Sequence, residues 1–299
     1  MSFDRFLEPL AFAQTQDLSN HPMRSVLERM HGRGLYTFFL HTEDESDAFL
    51  CVVSFPDMNA PFGSRGHHLE RGSAQAINLL RSGRARYDRL GLYQHGNAET
   101  VHDAAAALQM FVKLNVAYVA HEWYGYGTTA DRAPTFQAQS RRCAALLRLL
   151  RAAAEDLLPP VLIGYSLGCS ILLAAWPRVH AEWESVVVLL APFYDATGVV
   201  VRVPMLREIC GYFALPHMHN GRLVINLRAP LMVAHGTSDQ LIPVSHARDL
   251  VKAYDDVNNG QREGVLRCYA GATHTSLLDS SKTRSDLIAD VRAFIHKLS

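Results

Sequence analysis

The sequence predicts an α/β protein with a mainly parallel central sheet and helices on both faces. Three observations lead there. Short apolar runs recur at 161–163, 185–191 and 231–234 with little polar alternation, as in strands buried on both sides. Between such runs lie segments with helical spacing. The clearest spans about 138–157, where Cys143, Leu146, Leu147, Leu150, Ala153 and Leu157 form one apolar stripe. Strand and helix patterns then alternate from residue 90 onward, which calls for helices covering both faces of a sheet.

Taken in order, residues 1–34 read as an N-terminal extension of two short helices, from the spacing of Phe3, Phe6, Leu7 and Leu10 and of Val26, Leu27 and Met30. Strands follow at 36–41 and 49–55, joined by an acidic hairpin turn at 43–47. Residues 56–89 form a polar, basic insertion with a helix near 73–81. Its stretch 65–90 carries Arg65, Arg71, Arg81, Arg84, Arg86 and Arg89 against only Glu70 and Asp88. Two readings stay open for it: a solvated surface, or a basic patch that meets an anionic lipid surface or an acidic partner. Further strands are expected at 90–94, 115–120, 161–163, 185–191, 231–234 and 265–269, the last three read as buried. Helices are expected at 104–113, 138–157, 244–253 and 285–298. The segment 195–229 belongs to neither flanking strand and holds Met205, Leu206, Ile209, Tyr212 and Phe213. It reads equally as a cap over a site and as a short helix packed in the core.

At 299 residues the chain can bury one sizeable core, and a single domain over 1–299 is expected. Lys+Arg and Asp+Glu are equal at 29 each, so net charge gives no reason to expect a nucleic-acid partner. Five scattered cysteines without a Cys-x-x-Cys pair argue against a zinc site or a disulfide framework and fit a reducing compartment. No run approaches the ~20 apolar residues of a bilayer span, and the first residues lack the apolar core of a signal peptide. The expectation is a cytoplasmic protein without a metal or cofactor. His67-His68 and His217-x-His219 have no acidic or cysteine partners at ligand spacing.

Three short motifs carry the chemistry. They are Gly164-Tyr165-Ser166-Leu167-Gly168, Gly236-Thr237-Ser238-Asp239 and Gly271-Ala272-Thr273-His274. A serine hydroxyl needs a base to take its proton and a carboxylate to orient that base. Ser166 lies where an apolar strand meets an apolar helix, and Gly164 and Gly168 relieve the crowding of so sharp a turn. The order Ser, Asp, His is that of α/β-hydrolases. Asp195, just past the preceding strand, is the rival for the acid. His274 follows the last strand, where a general base is expected.

Around these motifs the chain resembles the α/β-hydrolase superfamily, and within it the Bem46-like branch that includes the ABHD17-type depalmitoylases. The resemblance rests on His95-Gly96-Asn97-Ala98, on Trp123-Tyr124-Gly125-Tyr126-Gly127-Thr128-Thr129 and on the run from Pro230 to Asp239, and it covers roughly 90–299. It departs from the family at Tyr124, where an arginine is usual, and the lipidated cysteine-rich N-terminus of the depalmitoylases is absent. The resemblance implies an α/β-hydrolase fold and an oxyanion hole formed by the backbone N–H groups of Leu167 and Asn97, with His95 and Gly96 shaping the second loop. The reading is a cofactor-free serine hydrolase of esters or thioesters acting on a small or lipid-like acyl substrate. An acyltransferase and a non-catalytic binding protein on the same scaffold are the alternatives.

Overall fold

The computed structural model describes residues 35–40, 49–54, 70–71, 73–82, 87–97, 99–126, 135–179, 184–196, 218–259, 261–262 and 264–298. The two helices expected in 1–34, the acidic turn, much of the basic insertion and most of the cap segment lie outside these residues. Among the described residues nine strands form one sheet. They are β1 (Leu35–Leu40), β2 (Phe49–Ser54), β3 (Glu70–Arg71), β4 (Arg89–Gln94), β5 (Val116–His121), β6 (Val161–Tyr165), β7 (Val186–Leu190), β8 (Leu231–Gly236) and β9 (Val265–Tyr269). The α-helices among the described residues are α1 (Ser73–Ser82), α2 (Val101–Val112), α3 (Phe136–Ala153), α4 (Leu167–Ala175), α5 (Asn220–Leu223), α6 (Ser245–Asn258), α7 (Ser276–Asp279) and α8 (Ser281–His296).

The strand order is β3-β1-β2-β5-β4-β6-β7-β8-β9. Strands β4 to β9 pair in parallel, whereas β2 runs antiparallel to both β1 and β5. After β4 the chain adds β5 on one side and β6 on the other. The direction of winding therefore reverses at β4. In open α/β sheets ligands bind beyond the carboxyl ends of the strands at such a switch, and Ser166 follows β6 at that end.

Alternate residues of each strand feed two separate cores. Leu90, Leu92, Leu162, Val187, Leu189 and Val233 face α3, α4 and α6. Tyr93, Tyr118, Ile163, Val188, Leu190 and Met232 face α2 and α8. Burial on both faces explains why these strands read as unbroken apolar runs.

Three departures from the sequence reading have local causes. Helix α2 starts at Val101, not 104, because Thr100 and Asp103 form a capping box that satisfies the first backbone N–H groups. Strand β9 is an outer strand, not a buried one: Arg267 and Cys268 are exposed, and Arg267 pairs with Asp290 of α8 at 3.3 Å. The two-residue strand β3, parallel to β1, is too short to leave a periodic signal. Within the basic segment, Arg89 is buried and donates to the Pro159 carbonyl at 2.6 Å, so it adds nothing to a surface patch. Arg81 is partly exposed and pairs with Glu155 at 3.2 Å.

Candidate active site

Ser166 sits between β6 and α4 with φ 52° and ψ −117°, a left-handed backbone that a residue with a Cβ adopts at a cost. The turn is held by the Ser166 N–H, which donates to the Leu190 carbonyl of β7 at 2.8 Å. Close packing dictates the flanking glycines. A Cβ on Gly168 would stand 2.2 Å from the Gln94 carbonyl oxygen, and one on Gly164 would stand 2.8 Å from the Cα of Cys169. Glycine at 168 thus lets the N-terminus of α4, with Leu167 as its first residue, press against the end of β4. The loop beyond β4 carries His95, Gly96 and Asn97.

His274 lies beyond β9. Its Nε2 is 3.0 Å from Ser166 Oγ and its Nδ1 is 2.7 Å from Asp239 Oδ2. A carboxylate only accepts, so Nδ1 carries the proton and Nε2 is free to accept from the serine hydroxyl. The acid and base loops are stitched together: Thr237 N–H donates to Tyr269 O, Ser238 N–H to Ala272 O, and Gly271 N–H to Thr237 Oγ1. Asp239 Oδ1 accepts from the N–H groups of Leu241 and Ile242, at 2.9 and 2.8 Å. Burial alone would raise this carboxyl. Hydrogen bonds from His235, His274 and the Ile242 N–H outweigh it and hold the group well below the usual carboxylate range. The rival acid, Asp195, acts electrostatically on His246 of α6.

The β4 loop is supported from below. His95 is fully buried, bonds through Nδ1 to Gly96 O at 2.9 Å and stacks on Trp123 with centroids 4.1 Å apart. Burial lowers its pKa to about 4, so it is neutral at physiological pH. Asn97 Oδ1 accepts from the Tyr126 hydroxyl at 2.5 Å. The Gly96 N–H donates to Glu99 Oε2 at 2.5 Å. The Glu99 carboxyl is pushed up to about 7, chiefly by burial, with Asp103 and Asp279 adding to the rise against the Gly96 hydrogen bond.

Four side chains beside the serine, base and acid were not singled out in the sequence as site residues. Tyr126 belongs to the Tyr-Gly-Tyr-Gly run, which is its only signal. Tyr165 stacks on the His274 ring at 5.3 Å and its hydroxyl donates to the His274 carbonyl at 3.3 Å. His235 lies in the Pro230–Asp239 run as a strand-end residue beside the acid, though no role was read for it there, and Glu99 leaves no local pattern. Among the described residues no group of three His, Cys, Asp or Glu side chains is arranged to hold a metal, and no helix is long and apolar enough to cross a membrane. A groove of about 720 Å³ lies away from this site, between α1, α3 and the Pro159-Pro160 approach to β6. Its arginines Arg81, Arg148 and Arg151 are engaged by the carbonyls of Ala152, Arg178 and Val179.

Sheet topology, the strained serine turn and the two loops that meet it define the α/β-hydrolase fold. Comparison with known proteins agrees. No family model matches the chain. It is 27% identical over 191 residues to an Acanthamoeba polyphaga mimivirus protein whose name places it among the α/β-hydrolases, covering 63% of this chain and 67% of that one. It is 26% identical over 228 residues to the monoacylglycerol lipase of Mycolicibacterium smegmatis, covering 60% of this chain and 79% of that one. Among solved structures, a Pyrococcus furiosus esterase superposes with a TM-score of 0.63 at 14% identity, over 95% of this chain and 99% of that one. A soluble variant of the Saccharomyces cerevisiae monoglyceride lipase superposes with a TM-score of 0.57 at 12% identity, over 85% and 94%.

Proposed function

We propose that the protein is a serine hydrolase that cleaves carboxylic esters or thioesters through an acyl-enzyme on Ser166. One observation carries the reading: the continuous hydrogen-bonded line from Ser166 Oγ through His274 to Asp239, at 3.0 and 2.7 Å, beyond the switch point of the sheet. Names of similar proteins, esterases and monoacylglycerol lipases, support an ester of a small or fatty acyl group as substrate.

In this reading His274 Nε2 takes the hydroxyl proton as Ser166 Oγ attacks the acyl carbonyl carbon. Asp239, already ionised and fully hydrogen-bonded, stabilises the imidazolium that results. The N–H groups of Leu167 and Asn97 receive the oxyanion, each worth about 3 kcal/mol of barrier. His274 then protonates the departing alcohol or thiol. Water, deprotonated by the same imidazole, attacks the acyl-serine and releases the acid. No metal or cofactor takes part in these steps.

The test is labelling by a fluorophosphonate probe together with a panel of p-nitrophenyl esters and acyl-CoAs of rising chain length. The wild type is expected to label and to hydrolyse at least one ester series, and Ser166→Ala to do neither. Hydrolysis that survives in Ser166→Ala would end the proposal. Product analysis with added alcohol separates hydrolysis from acyl transfer.

A further inference from the structure

We infer that His235 is a positioning residue for the reaction, a second histidine that clamps the acid from the side opposite the base. The inference rests on the reading of Ser166, His274 and Asp239 as a proton relay.

His235 is the fifth residue of β8, and its side chain is wholly buried. A buried imidazole must account for both ring nitrogens. Its Nε2 lies 2.8 Å from the Ile242 carbonyl oxygen and 3.3 Å from Asp239 Oδ2. Both neighbours only accept, so Nε2 carries the proton and shares it between them. Among the described residues Nδ1 has no hydrogen-bond partner. The contacts therefore place a proton on Nε2 and make the ring a donor to both oxygens.

The consequence is geometric. The Asp239–Ile242 turn is tied at both ends of the carboxylate: the backbone N–H groups of Leu241 and Ile242 hold Oδ1, while His235 and His274 hold Oδ2. His235 also grips the Ile242 carbonyl, so one N–H joins the acid to the far end of its own turn. With one histidine on Oδ2, the two N–H groups on Oδ1 still leave the carboxylate some freedom to swing about its Cβ–Cγ bond. Held by two histidines, it is fixed with Oδ2 aimed at His274. The shared donor also draws charge from Oδ2, so the clamp moderates how strongly Asp239 stabilises the imidazolium. Packing admits the arrangement only because residue 236 is glycine. A Cβ there would meet the Ala272 carbonyl oxygen at 2.2 Å and force the acid loop off the base loop.

The experiment compares His235→Leu, which fills the space and removes the donor, with His235→Gln, whose amide nitrogen reaches the place of Nε2. Ester hydrolysis is followed across pH. His246 of α6 interacts electrostatically with His235 and Asp239, and Tyr165 with Asp239; His246 is in turn influenced by Asp249 and Asp195, and Tyr165 by Glu99 and Asp279. All but His235 itself are unchanged in both variants. His235→Leu is expected to lose about 10-fold in kcat with KM unchanged, less than the roughly 100-fold that a 1 Å misplacement costs. Its acidic limb of kcat/KM is expected to move to higher pH, because the carboxylate keeps more of its charge for His274. His235→Gln is expected to recover most of the rate and return the limb towards the wild-type position. If His235→Leu does not fold, His235→Gln against His235→Asn, whose amide falls short of Nε2, makes the same contrast. A wild-type kcat and limb in the donor-less variant, or equal losses with and without the donor, would overturn the inference. Fluorophosphonate labelling of the wild type, abolished in Ser166→Ala, is run in parallel. Its failure would count against the hydrolase reading itself, not against the clamp.

Discussion

Two carboxyls flank the candidate site, Asp239 buried and Glu99 partly so, and they are driven in opposite directions. Asp239, in the loop after β8, is surrounded by donors: two imidazoles and two backbone N–H groups. Glu99, in the loop after β4, has the Gly96 N–H on one side and the charges of Asp103 and Asp279 on the other. Burial opposes ionisation in both. The donors overcome it at Asp239, and the acidic neighbours reinforce it at Glu99. What separates a permanently ionised acid from one that titrates near 7 is thus whether enough donors converge on the group to outweigh burial, as they do at Asp239 and not at Glu99.

The largest effect expected from this contrast is kinetic. Asp239→Asn removes the charge but keeps the shape, and should lower kcat by roughly 10⁴-fold. Glu99→Gln, measured in the same ester assay near pH 7, should keep kcat within about 3-fold, because Glu99 supports a loop and orients no base. Equal losses in the two variants would break the comparison.

Gly168→Ala should come next. Its Cβ would sit 2.2 Å from a backbone carbonyl that cannot move without shifting β4. A loss of about 3 kcal/mol is expected in denaturant unfolding, the upper range for overpacking. Labelling of Ser166 should fall with it, since the serine turn and the β4 loop share this contact.

Stability against pH sharpens the comparison further, with opposite signs for the two groups. Asp239 is lowered in the fold, so its contribution is present above its unfolded value of about 3.9 and is lost as pH falls below that. Glu99 is raised to about 7. Its contribution is full below its unfolded value of about 4.3 and is lost as pH rises through 7. Glu99→Gln, which keeps an acceptor for Gly96 N–H, should therefore gain stability relative to wild type between pH 5 and pH 8, by on the order of 2 kcal/mol. A flat difference across that range would show that Glu99 does not titrate there.

Smallest are the hydroxyl deletions. Tyr165→Phe keeps the ring on His274 and loses only the bond to its carbonyl. Tyr126→Phe removes its hydrogen bond to the Asn97 side chain. Each should lower kcat about 3- to 10-fold, the worth of roughly one ordinary hydrogen bond. Tyr126→Phe should act on kcat, as expected if Asn97 serves the oxyanion.

Much of this was legible in the chain, for reasons that differ by region. The central strands announced themselves because parallel strands covered on both faces are apolar throughout. Ser166 and its glycines were legible because a sharp strand-to-helix turn admits few residues. β9 was misjudged because its apolar residues match those of an inner strand, and only the missing neighbour exposes Arg267 and Cys268. Tyr126, 29 residues from Asn97, and Tyr165, 109 residues from His274, meet their partners only across the fold.

By itself the sequence determined the order of strands and helices, the sharp turn at Ser166 and the presence of a hydroxyl, an imidazole and a carboxylate, because periodicity and turn chemistry are local properties of the chain. The tertiary structure alone decided which acid faces His274, which oxygens His235 donates to, and why Asp239 and Glu99 part company. Those outcomes depend on how many donors and charges converge on each group through space, and convergence is a property of packing.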